Sequence, residues 1–158
     1  MKSQTIPLSV IAKKWADALA HDNKIEAFCQ KYYGKSIKLF IGYDDAQAPK
    51  EEDCPCAIVM MQGKTEGVSE SYSYALEVVW GIYQENTTID DNVTIFDGAF
   101  ESDDLGQLII ECLMNVNPSF PIVDINYESD NISWRPIYPG RAELTITMPH
   151  VIGGIIEY

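Results

Sequence analysis

The sequence predicts an α+β fold: a mostly antiparallel sheet of about five strands, with two to three helices packed on one face. Three observations predict it. Apolar residues follow the three-and-four spacing of helices at the N-terminus and again near residues 102–118. Between and after those stretches the apolar period changes to two, over runs of strand length. The helical stretches are segregated from the strand runs, whereas a doubly wound sheet would alternate them. The 158 residues suit one domain, divided into an N-terminal helical segment (1–34), an α+β core (35–149) and a C-terminal extension (150–158). A domain of this length buries roughly 70% of the surface its unfolded chain exposes, so the core needs no staple.

Residues 6–20 read as an amphipathic helix, with Leu8, Ile11, Ala12, Trp15, Ala18 and Leu19 on one side. Pro7 falls in the first turn, where a missing N–H does no harm. "HDNK" breaks the pattern, and a second short helix carries Ile25, Phe28, Cys29 and Tyr32, ended by Gly34 in a left-handed conformation.

In "SIKLFIGYD", Ile37, Leu39 and Ile41 fall on one strand face. "CAIVMM" is apolar in both parities, as in a strand covered on both sides. "SYSYALEVVWGIYQ" is the longest strand, with Tyr74, Leu76, Val78, Trp80 and Ile82 pointing one way and a bulge or close approach expected at Gly81. Residues 85–104 are polar and acidic, with "VTIF" a short strand within them. In "SDDLGQLIIECLMNVNP" Ser102 is the expected N-cap, Asp103 and Asp104 suit the positive helix end, and Asn117-Pro118 is the stop. Its buried stripe is Leu105, Leu108, Ile109, Cys112, Leu113 and Val116. Two closing strands follow: Val123, Ile125 and Tyr127 alternate with polar residues, as do Ala142, Leu144, Ile146 and Met148. "NISWRPIYPG" between them, with two prolines, reads as a loop or interrupted edge.

No catalytic or cofactor-binding residue emerges. Cys54 and Cys56 sit two apart and would share a strand face, a possible start for a zinc site. A structural zinc site needs about four ligands, and Cys29, Cys112, His21 and His150 supply no metal spacing. One residue separates the two cysteines, so the redox C-x-x-C pattern is absent. The pair reads as the start of a buried strand, with Pro55 as its first residue. Phosphate-loop, dinucleotide, zinc-protease and serine-nucleophile patterns are missing. The acidic pairs Asp44-Asp45, Glu51-Glu52 and Asp90-Asp91 lie in polar connections, where solvated charge is usual. The expectation is a non-enzyme without cofactor or metal, built to hold shape and meet partners.

Eleven Lys and Arg against 24 Asp and Glu give a formal net charge of −13. Such a surface repels phosphate backbones and anionic lipid, so tight nucleic-acid binding is not expected. No secretion signal or membrane span is legible, since Lys13 and Lys14 interrupt the first apolar run. The expected location is the cytoplasm.

The ordered pattern resembles the tail terminator proteins of long-tailed bacteriophages. The likeness runs through "IKLFIGYDD", "EEDCPCAIVMMQG", the hairpin "GKTEGVSES", "YSYALEVVWGIYQ", the helix "LGQLIIECLMNV" and the strands "FPIVDINYE" and "GRAELTITMP", roughly residues 35–149. It rests on element order and not on a diagnostic motif. Residues 85–100 are longer than the pattern, and "HVIGGIIEY" extends beyond it. The resemblance implies a homo-oligomeric ring, a hexamer, that caps the tail tube, meets tail-tube and head-completion proteins and lets DNA pass through its lumen. The protein would then be cytoplasmic during assembly and part of the virion tail afterwards. An acidic wall avoids adhesion to that DNA. Ring closure needs one patch to meet a different patch, and sheet edges and chain ends suit that role. The expected interface residues are Lys64, Thr65, Glu66, Glu70 and Tyr72 of the hairpin and Ile155, Ile156 and Tyr158 of the C-terminus. The alternative function is an acidic immunity-type inhibitor that binds a basic toxin or nuclease, since opposite charge accelerates encounter.

Overall fold

The computed structural model describes residues 6–65, 71–116, 121–129 and 135–149. The order is α1 (Leu8–His21), α2 (Asn23–Tyr33), β1 (Lys38–Ile41), β2 (Cys56–Thr65), β3 (Ser71–Tyr83), β4 (Thr87–Asp90), β5 (Val93–Phe96), α3 (Asp97–Met114), β6 (Ile122–Ser129) and β7 (Ile137–Pro149), with two short 3-10 turns at Asp45–Gln47 and Glu51–Asp53. Five strands form one sheet in the order β1-β2-β3-β7-β6. The β1–β2 pair is parallel and the other three pairings are antiparallel. This is the expected α+β architecture.

The helices form because their apolar residues share a side and their ends are capped. On α1, Ile11, Ala12, Trp15, Ala16 and Leu19 are buried, and the helix lies against β1 and β2. Asp22 caps α2, its Oδ1 accepting from the Lys24 and Ile25 amides, each at 2.9 Å. Gly34 ends α2 at φ 66°, as expected of a left-handed terminator, and its amide donates to the Gln30 carbonyl. Helix α3 packs on β3 and β7. The core lies between the helices and the even-numbered residues of β3, from Tyr72 to Ile82, with Ala57 and Val59 of β2 and Tyr138, Ala142, Leu144 and Ile146 of β7.

Five local expectations change. Helix α3 starts at Asp97, not after Ser102, which is buried inside it. The earlier start is set by packing: Gly98 lets the helix lie against the Tyr138 ring, which would come within 2.1 Å of a Cβ there. Strand β6 carries an irregularity between Ile122 and Asp124, so Ile122, Ile125 and Tyr127 pack on the core while Val123 is exposed. Strand β7 begins at Ile137 within the presumed loop. Pro139 precedes Gly140, which among the described residues is the first of β7 in register with β6, so no described β6 residue needs an amide from Pro139. At Gly81 there is no bulge; it pairs regularly with Cys56 and Pro139. In the acidic stretch the expected "VTIF" strand is β5, but it pairs with a further strand, β4, in a separate two-stranded ribbon that turns at Asp91 with φ 52°. The Asn117-Pro118 stop, Trp134 and the segment 150–158 lie outside the described residues.

Candidate interaction surface

One face of the sheet carries the helices. On the other face the odd-numbered residues of β3 line up with Cys56, Ile58 and Met60 of β2, with Arg141, Glu143 and Thr145 of β7, and with Asp124, Asn126 and Glu128 of β6. Over β1 and β2 this face is crossed by residues 42–55. A groove of about 430 Å³ there is lined by Phe40, Ile41, Tyr43, Gln47, Pro49 and Ile58. Lys38 Nζ holds that crossing segment through Asp53 Oδ1 at 2.5 Å, and Lys35 Nζ donates to the Glu52 carbonyl at 3.1 Å. The Lys38 bond lowers the Asp53 carboxyl below its ordinary range.

The remaining half of the face is polar and tied across four strands. Gln62 Nε2 donates to Glu77 Oε2 at 2.5 Å. Arg141 Nη1 stands 3.8 Å from Glu77 Oε1, and its Nε and Nη2 reach Glu128 Oε2 at 2.8 and 2.6 Å. The network joins β2, β3, β7 and β6 and keeps Glu77, largely buried, partnered. Glu128 beside it raises the Arg141 pKa further, so the cation is fixed at every working pH.

Cys54 and Cys56 are both buried and free. Their sulfurs stand over Gly81, 3.9 and 3.8 Å from where a Cβ would be. The Cys56 thiol is pushed up by its hydrogen bond with Cys54 and by burial, and Cys54 Sγ donates to the Lys50 carbonyl at 3.7 Å. Strand β2 starts at Cys56, one residue after Pro55. Among the described residues no group of three or more His, Cys, Asp or Glu is arranged to hold a metal ion. Burial likewise pushes the Cys29 and Cys112 thiols up to about 12.

Of the residues expected at an interface, Lys64 and Thr65 are exposed at the end of β2. Lys64 Nζ donates to the Ile6 carbonyl at 3.3 Å and lies 5.9 Å from the Tyr74 ring. Tyr72 faces the helices and is 3% exposed, within the core. Glu66, Glu70, Ile155, Ile156 and Tyr158 lie outside the described residues. Of the three that are described, Lys64 and Thr65 lie together at the surface, and Tyr72 does not. Two features escaped the sequence reading. One is the network around Arg141, for which a charge at Glu77 in an otherwise apolar strand was the available signal. The other is strand β4, which pairs with the expected "VTIF" strand, β5, to make a ribbon whose Ile89, Val93 and Phe96 are exposed.

The outer strands are β1 and β6: among the described residues β1 pairs only with β2, and β6 only with β7. No described helix is long and apolar enough to cross a membrane. Among the described residues, fold and surface define an α+β protein with one sheet face covered by helices, the other free of them, and an edge strand at each side of the sheet. No family model and no curated protein sequence matches the chain.

Proposed function

We propose that the chain is a structural assembly protein of the tail-terminator kind, a homo-oligomeric ring that caps a phage tail tube and offers the head-joining surface. The observation that supports this reading is the pair of edge strands, β1 and β6, at opposite sides of one sheet, each with a ladder that no other described strand fills. They are different patches, as a closed ring of identical subunits requires. Edge strands left unpaired invite strand addition from another chain. On this reading the protein performs no reaction and needs no cofactor. The test mixes purified chain with tail-tube protein and follows tube length by electron microscopy. Capped, length-limited tubes bearing a terminal ring are expected; tubes that grow unchecked with no chain at their ends overturn the reading.

The formal charge of −13 favours one second reading, an inhibitor of a basic toxin or nuclease. Recovery of one small basic protein in a salt-sensitive one-to-one complex, with no effect on tubes, would replace the first reading with this one.

A further inference from the structure

Two thiols meet where the crossing segment 42–55 joins β2. Cys54 ends the Glu51–Asp53 turn and Cys56 opens β2, with one residue between them. Even in a fully extended chain their Cα atoms are at most about 7 Å apart. Little or no backbone movement brings them within the about 4.4–6.8 Å that a disulfide spans. Both side chains lie over Gly81, which has no side chain to separate them. Cys56 Sγ and Cys54 Sγ stand 3.8 and 3.9 Å from the same point, the place of the absent Cβ. The two sulfurs are hydrogen-bonded to each other. The one-residue spacing that breaks the C-x-x-C pattern does not keep them apart.

The two thiols are not equivalent. Cys54 Sγ directs its own proton to the Lys50 carbonyl, 3.7 Å away. It accepts the hydrogen bond from Cys56, which lowers the Cys54 pKa; burial opposes this, the Lys35 ammonium adds to it, and Asp53 and Glu51 oppose it. The same bond raises the Cys56 pKa, with burial and the charges of Cys54 and Asp53 acting in the same direction and the Gly81 amide against them. The first thiolate therefore forms on Cys54, with Cys56 as its protonated neighbour. Cys29 and Cys112 lie on α2 and α3 with thiols pushed up to about 12, chiefly by burial, so neither competes for an electrophile. Cys54 and Cys56 are each 5% exposed, a depth suited to a small, uncharged oxidant.

We propose that Cys54 and Cys56 form a dithiol oxidised by hydrogen peroxide, Cys54 the attacking sulfur and Cys56 the resolving one. The Cys54 thiolate attacks one peroxide oxygen: an S–O bond forms, the O–O bond breaks, and the departing hydroxide takes a proton and leaves as water. Cys54 is then a sulfenic acid, oxidised by two electrons. The Cys56 sulfur attacks it: an S–S bond forms, the S–O bond breaks, and the hydroxide leaves with the Cys56 proton as a second water. One peroxide is reduced and two thiols become one disulfide, which a thiol reductant reverses. The bond ties the end of the crossing segment to the first residue of β2, beside the groove over β1 and β2. This chemistry goes beyond the proposed function and holds whether or not the chain forms a ring.

The full chain, fully reduced, is treated with hydrogen peroxide, then unfolded, alkylated and digested with trypsin. All four cysteines are free at the start, and Cys54 and Cys56 share the peptide 51–64. Two of the four thiols are expected to be lost. Peptide 51–64 should carry no alkyl label and weigh less than its reduced form by two hydrogen atoms, and dithiothreitol should restore both thiols. Cys29 and Cys112 should remain open to alkylation. In Cys56→Ser the oxidation should stop at the sulfenic acid, trapped by dimedone on residue 54. In Cys54→Ser dimedone should trap nothing on residue 56 over the same time. Wild type decides the main point without relying on how either variant folds. The proposal is overturned by a peptide 51–64 that stays reduced, by oxidation of Cys29 or Cys112 first, by a disulfide that joins two chains, or by dimedone trapped on residue 56.

Discussion

The indole Nε1 of Trp80 donates to the carbonyl of Ser102 across 2.9 Å, joining the central strand β3 to α3. The same ring fills the space beside two glycines. A Cβ on Gly106 would lie 2.3 Å from Trp80 Cζ2, and one on Gly140 2.4 Å from it. Neither α3 nor β7 could then stay at its present distance from the ring. Gly106→Ala and Gly140→Ala should each destabilise the protein by about 1–3 kcal/mol, the range for overpacking a filled core. The double variant should cost less than the sum, since both displace one ring. Urea denaturation checks both statements.

Gly81, the neighbour of Trp80 along β3, supplies the contrast. A Cβ there meets nothing closer than Cys56 Sγ at 3.8 Å, an ordinary contact. Gly81→Ala should therefore shift stability by no more than about 0.5 kcal/mol. A loss as large as that of Gly140→Ala would mean that glycine is needed for backbone reasons and that the ring-packing account is wrong.

These glycines show where the sequence was legible. Helices α1 and α2, the Gly34 terminator and strands β2 and β3 follow from periodicity and capping, which are local properties. The start of α3 at Asp97 does not, because "DGAFE" has no apolar stripe and is helical through the fit of Gly98 to Tyr138. The parallel pairing of β1 with β2 is a matter of topology that alternation cannot encode. Val123 reads as a core residue until the register slip in β6 turns it outward. For the surface, the alternation in β3 puts Glu77 on the side opposite Tyr74 and Leu76. Its partners Gln62, Arg141 and, through Arg141, Glu128 come from three other strands and required the sheet order. Tyr72 is among the expected interface residues of the hairpin, yet its parity with Tyr74 and Leu76 puts it on the core side.

Asp22 separates α1 from α2 and caps the second helix with one oxygen shared by two amides. Asp22→Ala leaves those amides without a protein acceptor and should cost about 1 kcal/mol, whereas Asp22→Asn or Asp22→Ser should retain most of the stability. Thermal melting of the three variants beside wild type checks this. Equal losses for alanine and asparagine would argue against the cap.

Glu101, only 6% exposed, is held by Gln84, whose Nε2 lies 3.1 and 3.0 Å from its two oxygens. Burial pushes its pKa above the ordinary carboxylate range; the Gln84 bonds and the nearby Tyr33 hydroxyl offset part of that, and Asp97 and Asp104 add to it. The sign of the linkage follows. The native state keeps this proton to a higher pH than the unfolded chain, whose glutamates titrate near ~4.3. The stability that Glu101 contributes is therefore full below that value and is lost as pH rises through the native pKa. Glu101→Gln is neutral at every pH and still accepts from Gln84. Wild type and variant should melt close together at pH 4.5, and the variant should melt higher at pH 8. A gap of the same size at both pH values, or a more stable wild type at pH 8, would show that the ionised carboxylate is compensated in the fold and that its burial carries no cost.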